Sequence, residues 1–224
     1  MVSIAIPCYE MQGKGVEFLN FSLDKIKNQT YKDIQVVISD HSLNDDIKRL
    51  CNYWSKKLNI KYLKNEDNRG SSSANINNAI ENSDGDIIKI LFQDDFFFDE
   101  TSIEDIVNNF SGDWLITPCL HTNDGINFFN PISPYWNDNI HLGVNTISSP
   151  SVLTISKNVK DRFDGNLIWL MDCDFYKRLY IRYNMPIFTK KINVVNRLWG
   201  SRLSDTIPEQ IKNNELILMK ERYE

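Results

Sequence analysis

The chain is sparing with the residues that announce several common chemistries. Its four cysteines, Cys8, Cys51, Cys119 and Cys173, are scattered, with no CxxC step. That spacing argues against a zinc ribbon or a disulfide framework and for reduced structural thiols. Histidine is limited to His41, His121 and His141, each alone in a loop-like context, where a surface role is commoner than metal ligation. The 9 glycines form neither a GxGxxG nor a GxxxxGK pattern, so no loop of backbone amides is marked out to cradle phosphate. Basic clusters are missing too: 25 Lys and Arg stand against 30 Asp and Glu, which argues against a nucleic-acid surface. No apolar run reaches the ~20 residues that span a bilayer. The N-terminus enters a strand directly, without a signal-peptide pattern. The expectation is a cytoplasmic protein with at most a peripheral membrane contact and no transmembrane segment.

What is there is alternation. A β-branched run at 2–6 is followed by helical spacing at Phe18, Leu19, Leu23 and Ile26. A second strand at 34–38 precedes a helix over about 45–57, and a third strand lies at 60–63. A helix that Ser71 to Ser73 can cap runs to Ile80, and a fourth strand starts at Ile87. Strand and helix in turn read as an α/β fold with a mostly parallel, Rossmann-like sheet flanked by helices. In such sheets ligands bind beyond the carboxyl ends of the strands. Tyr9-Glu10, Asp40-His41-Ser42 and Asp94-Asp95 all fall there.

The second half is less regular. Residues 111–150 hold four of the seven prolines among aromatics such as Phe128, Phe129, Tyr135 and Trp136, which reads as long loops shaping a pocket. A strand follows at about 151–156, then a helix over about 171–183 beginning with Asp172 and Asp174. A strand near 191–196 and an amphipathic helix over about 207–221, with Ile211, Leu216 and Ile217, close the chain.

The pair Asp94-Asp95 ends the fourth strand and runs into Phe96-Phe97-Phe98. Two ionised carboxylates this close repel and desolvate badly unless a cation or proton joins them. The plain alternative is a turn before a helix at about 99–109.

Five stretches in order, VSIAIPCYE at 2–10, NQTYKDIQVVISDHSLND at 28–45, NRGSSSANINNAI at 68–80, GDIIKILFQDDFF at 85–97 and FDGNLIWLMDCDFYKRL at 163–179, resemble the family 2 glycosyltransferases of the GT-A fold. The resemblance implies one GT-A domain over 1–224. Its parts are a nucleotide-sugar lobe at 1–98, a less regular acceptor and catalytic lobe at 99–205, and a C-terminal helix at 206–224. It implies a UDP- or dTDP-sugar donor at Pro7, Tyr9, Asp40, Arg69 and Asp94, with Tyr9 against the base and Asp40 accepting its imide N–H. It further implies Mn²⁺ or Mg²⁺ on Asp94 and Asp95, since such ions take carboxylate, phosphate and water oxygens. Sugar transfer with inversion to a glycan or lipid-linked acceptor follows, with Asp172 as general base and Asp174 as its competitor.

The chain departs from the family pattern in three places. Phe92 stands where an Asp-x-Asp motif has its first acid, Asn75 where many relatives carry Arg, and Trp199 where an Arg-x-His step has its imidazole. Arg69 and Arg202 are the remaining cations for a phosphate. A sugar nucleotidylyltransferase fits less well, because only Lys14 follows the first strand to hold a triphosphate. A catalytically weak nucleotide-sugar or glycan-binding module is the reading from another class.

Overall fold

The computed structural model describes residues 1–200 and 206–224. Seven strands build the main sheet. β1 (Val2–Cys8), β2 (Ile34–Asp40), β3 (Asn59–Lys64) and β4 (Ile87–Ile90) pair in parallel in the order β4-β1-β2-β3. β1 is buried along its whole length. Its side chains alternate between two cores: Ile4 and Ile6 pack with Leu19 and Leu23, whereas Ala5 packs with Ile76 and Ala79. Those partners come from α1 (Gly15–Lys27) on one face and α3 (Ser72–Glu81) on the other. The helix α2 (Asp46–Trp54) joins the first face with Ile47, Cys51 and Trp54. Ser71 caps α3 through its hydroxyl, which accepts the Ala74 N–H at 3.2 Å.

Beyond β4 lies the short strand β5 (Phe96–Phe97), then α4 (Ser102–Asn109). α4 starts later than the sequence pattern predicts. Asp99 accepts the Thr101 N–H and the Ser102 hydroxyl, and this turn delays the first helical residue. The proline- and aromatic-rich stretch is not loop alone. It contains β6 (Trp114–Ile116), β7 (Cys119–Thr122) and β8 (Phe128–Ile132). After a 3-10 turn at Pro150–Val152 comes β9 (Leu153–Ser156), shorter than its apolar run suggests because proline opens the turn. The helix α5 (Met171–Tyr183) matches its predicted span, and β10 (Ile187–Phe188) and β11 (Val194–Arg197) follow.

β9 pairs antiparallel with β4 and β6, and β10 pairs with β6, completing the order β10-β6-β9-β4-β1-β2-β3. A second sheet, β5-β11-β7-β8, takes the aromatic segment. The C-terminal helix, α6 (Glu209–Tyr223), is not amphipathic as expected. Its buried residues are Glu215 and Met219, and Ile217 is exposed. Met219 joins the main core with Leu216, Leu218 and Tyr223 packed against it, and polar groups add to the contact: Arg222 and the Tyr223 hydroxyl each reach one oxygen of Asp174 at 2.7 Å.

Candidate active site

The carboxyl ends of β1 and β4 are joined by one side chain. Gln93 accepts the Tyr9 N–H at 2.9 Å and donates to the Gly15 carbonyl at 2.7 Å. Gly15 is required by close approach, because a Cβ there would lie 2.3 Å from the Tyr9 carbonyl oxygen. A cavity of about 470 Å³ opens beside this junction, with Pro7, Tyr9, Asp94, Asn145, Asp172 and Trp199 among its lining residues. The main sheet supplies one wall and β11 with the residues before α5 supplies the other.

The two adjacent acids divide. Asp95 is 5% exposed and turns inward. Its Oδ1 accepts the Arg197 N–H at 2.9 Å, stitching the end of β4 to β11, and the Ser151 hydroxyl also bonds its carboxylate. Burial, then the charge of Asp94, pushes the Asp95 carboxyl well above the usual carboxylate range. Asp94 is less buried, and its Oδ2 accepts the Trp199 indole N–H at 2.9 Å. Both acids expected at a metal line the cavity, and Asp95 is the one whose carboxylate also ties β4 to β11. Among the described residues no group of three or more His, Cys, Asp and Glu is placed to hold a metal ion. A cation that arrives with a diphosphate needs only one or two protein carboxylates. The donor set fits that kind of site and not an all-protein cage.

Beneath the acids, Lys89 is fully buried in β4 and donates to the carbonyls of Ser151 and Leu153. Desolvation lowers its pKa to about 7. Arg197, also buried, lies over the rings of Phe18, Phe21 and Phe96, with its Nε donating to the Asp94 carbonyl at 3.2 Å.

Across the cavity, the first turn of α5 separates the two candidate bases. Asp174 faces away and is spent on structure, bonded by Arg178, Arg222 and Tyr223. Asp172 lines the cavity. Its Oδ1 accepts the Cys173 N–H at 2.7 Å and its Oδ2 accepts the Asn145 amide at 2.8 Å. Desolvation outweighs these bonds and raises its pKa to about 6. The Arg at the end of the motif, Arg178, pairs with Asp174 at 2.7 Å, not with Asp172.

Other expected residues fall elsewhere. Asp40 is fully buried under the rim, its oxygens taken by the Ser42 N–H at 2.8 Å and the Tyr62 hydroxyl at 2.7 Å. It is not on the cavity wall. Arg69 pairs with Glu66 at 3.8 Å, also off the wall. Asn75, in place of an Arg, ties β1 to β2 by donating to the Cys8 carbonyl and accepting the Ser39 hydroxyl. Arg202 lies outside the described residues. Two of the three histidines, His41 and His141, are buried and not on the surface, and His121 lines the cavity. All four cysteines are buried and free. Asn145, Lys89 and Glu215 carry no signal in the sequence, being single polar residues in unpatterned positions. Glu215 reaches from α6 to accept the N–H groups of Ile168, Trp169 and Leu170 at the start of α5, with distances of 2.7 to 3.3 Å.

An α/β sheet with a second small sheet beside its carboxyl ends is the GT-A glycosyltransferase architecture. Solved structures bear this out: TarS 1-349 of S. aureus in complex with UDP-GlcNAc superposes with a TM-score of 0.74 at 15% identity, covering 97% of this chain and 65% of that one. The mannosyltransferase PcManGT of Pyrobaculum calidifontis, in complex with GDP-Man and Mn²⁺, gives 0.63 at 13% identity, over 87% and 56%. The chain belongs to glycosyl transferase family 2, whose family model matches residues 3–158. Among curated relatives, the GalNAc(5)-diNAcBac-PP-undecaprenol beta-1,3-glucosyltransferase of Campylobacter jejuni is 27% identical over 42% of this chain and 29% of its own length. An uncharacterised glycosyltransferase of Rickettsia typhi is 22% identical over 97% and 70%. The chain thus spans under a third of the Campylobacter relative and 36% of a longer TarS chain.

Proposed function

We propose that this chain is an inverting glycosyltransferase that moves a sugar from a UDP- or dTDP-sugar to an acceptor hydroxyl in polysaccharide or glycoconjugate synthesis. One observation carries the reading: Asp172 and Asp94 line the same cavity, and Asp172 alone of the α5 acids is both reachable and poised near pH 6. A hydroxyl needs a base within hydrogen-bond reach, and a base with this pKa is ionised at neutral pH yet still accepts a proton. The acceptor oxygen attacks the anomeric carbon, the bond from that carbon to the diphosphate breaks on the opposite face, and Asp172 takes the hydroxyl proton. Tyr9 and Pro7 offer a surface for the nucleoside. Asp94 would hold Mn²⁺ or Mg²⁺, whose chemistry there is to offset the diphosphate's charge. A uridine donor is supported by the likeness to TarS, solved with UDP-GlcNAc and with UDP. A glycan or lipid-linked acceptor is supported by the printed name of the Campylobacter relative.

The test compares wild type with Asp172→Asn on a panel of UDP- and dTDP-sugars with Mn²⁺. Wild-type turnover should rise with pH through a midpoint near 6, because Asp172 must lose its proton to act. The Asn variant should lose at least ~100-fold in turnover with UDP affinity kept. Full transfer by the variant would refute the base. UDP binding by wild type without turnover of any donor would instead identify a binding module.

A further inference from the structure

Asn145 sits in the segment between β8 and β9 and touches Asp172, yet the family motif does not include it. We propose that Asn145 is the positioning residue for Asp172, fixing the carboxylate's orientation toward the cavity and favouring its ionised form. This rests on the reading of Asp172 as the general base.

The amide is locked from both ends. Its Oδ1 accepts the N–H groups of Ile147 and Ser148, each at 3.0 Å, so the NH₂ must face the other way. One of its hydrogens then serves the Ser148 carbonyl at 3.2 Å and the other Asp172 Oδ2 at 2.8 Å. The segment carrying it is itself over-determined. Ser148 has φ of +103°, a conformation unfavourable for a non-glycine residue that persists only when neighbours enforce it. They do: the Tyr176 hydroxyl donates to the Ser148 carbonyl at 3.2 Å, and Asn196 donates to the Ser148 hydroxyl at 3.0 Å while accepting that of Ser149. Tyr176 lies on the same helix as Asp172, so the segment is tied to that helix at two points.

The Cys173 N–H lies on Oδ1 and the Asn145 amide on Oδ2, and the Cys173 thiol and the Asp172 N–H also bond the carboxylate. A donor on a carboxylate favours its charged form. The other titratable groups around it are the Cys173 thiol and Tyr176 phenol on its own helix, and Tyr9, Asp94, Asp95, His121 and Arg197 on the cavity wall. Asp174 is already paired with Arg178 and Arg222.

The decisive variant is Asn145→Ser, whose hydroxyl can still accept the turn's N–H groups but does not reach Asp172. Asn145→Ala removes both functions. The carboxyl of Asp172 is titrated by ¹³C NMR in the full chain, its resonance assigned by its loss in Asp172→Asn. In Asn145→Ser the midpoint should move up by about half to one pH unit, and the acid limb of sugar transfer should move with it. A merely structural role would lower the melting temperature of Asn145→Ala but leave the Asn145→Ser midpoint at the wild-type value, and that result overturns the proposal. So does a downward shift. The titration needs no turnover, so a failed base assignment, seen as transfer by Asp172→Asn, is read separately from a failed contact.

Discussion

Asp94 and Asp95 are neighbours with opposite tasks, and variants should separate them. Asp94→Ala should keep a near wild-type melting temperature and lose the part of UDP affinity that Mn²⁺ confers. Asp95→Ala leaves the buried Arg197 N–H without its acceptor, a loss of about 2 kcal/mol that lowers the melting temperature by roughly 4–8 °C at this length. Equal thermal penalties for the two variants would mean the division is wrong. The pair itself was legible in the sequence as an anomaly at a strand end. Its division was not, because what turns Asp95 inward is a backbone amide about a hundred positions away. The setting of Asp40 was hidden for the same reason. The partners of its oxygens, the Ser42 N–H and the Tyr62 hydroxyl, include one from another strand, which no local pattern marks.

At the scale of elements, the helix carrying Asp172 is held by the C-terminal helix at both ends of its first turns. Glu215 brings a charge to the positive end of α5 and satisfies three amides that precede or open it. Asp174 receives Arg222 and Tyr223 from the same helix. Glu215→Ala should therefore cost roughly 3 kcal/mol, or about 6–12 °C in melting temperature, and sugar transfer should fall as the proposed base Asp172 loses its placement. Calorimetry and a turnover assay check this together; an unchanged melting temperature would remove the clamp. Periodicity found α5 at its observed boundaries and found α6 too, but misjudged how α6 docks. Hydrophobic spacing speaks only of apolar faces, and this contact joins Met219 to the core with the ionic and hydrogen-bonded links of Glu215 and Arg222.

For the whole molecule, the N-terminal half was readable because β1 to β4 alternate with helices and pair in parallel, although β4 lies beside β1 and not β3. The second sheet was not, since β5, β7, β8 and β11 are short and their pairing is non-local. Where the two sheets meet, Lys89 ties stability to pH. Its folded pKa is lowered to about 7 while the unfolded chain holds that proton to about 10.4. Folding thus releases a proton above pH 7, and stability rises with pH there by at most about 1.4 kcal/mol per unit. Denaturant unfolding between pH 7 and 8 should show this rise in wild type and a weaker one in Lys89→Met; identical slopes would discount the lysine. The same seam has an optical consequence. Of the five tryptophans, Trp169 and Trp199 line the cavity, and the indole of Trp199 rests on the carboxylate of Asp94. Whatever takes that oxygen frees a fluorophore, so the molecule carries in its own emission a gauge of what has come to Asp94.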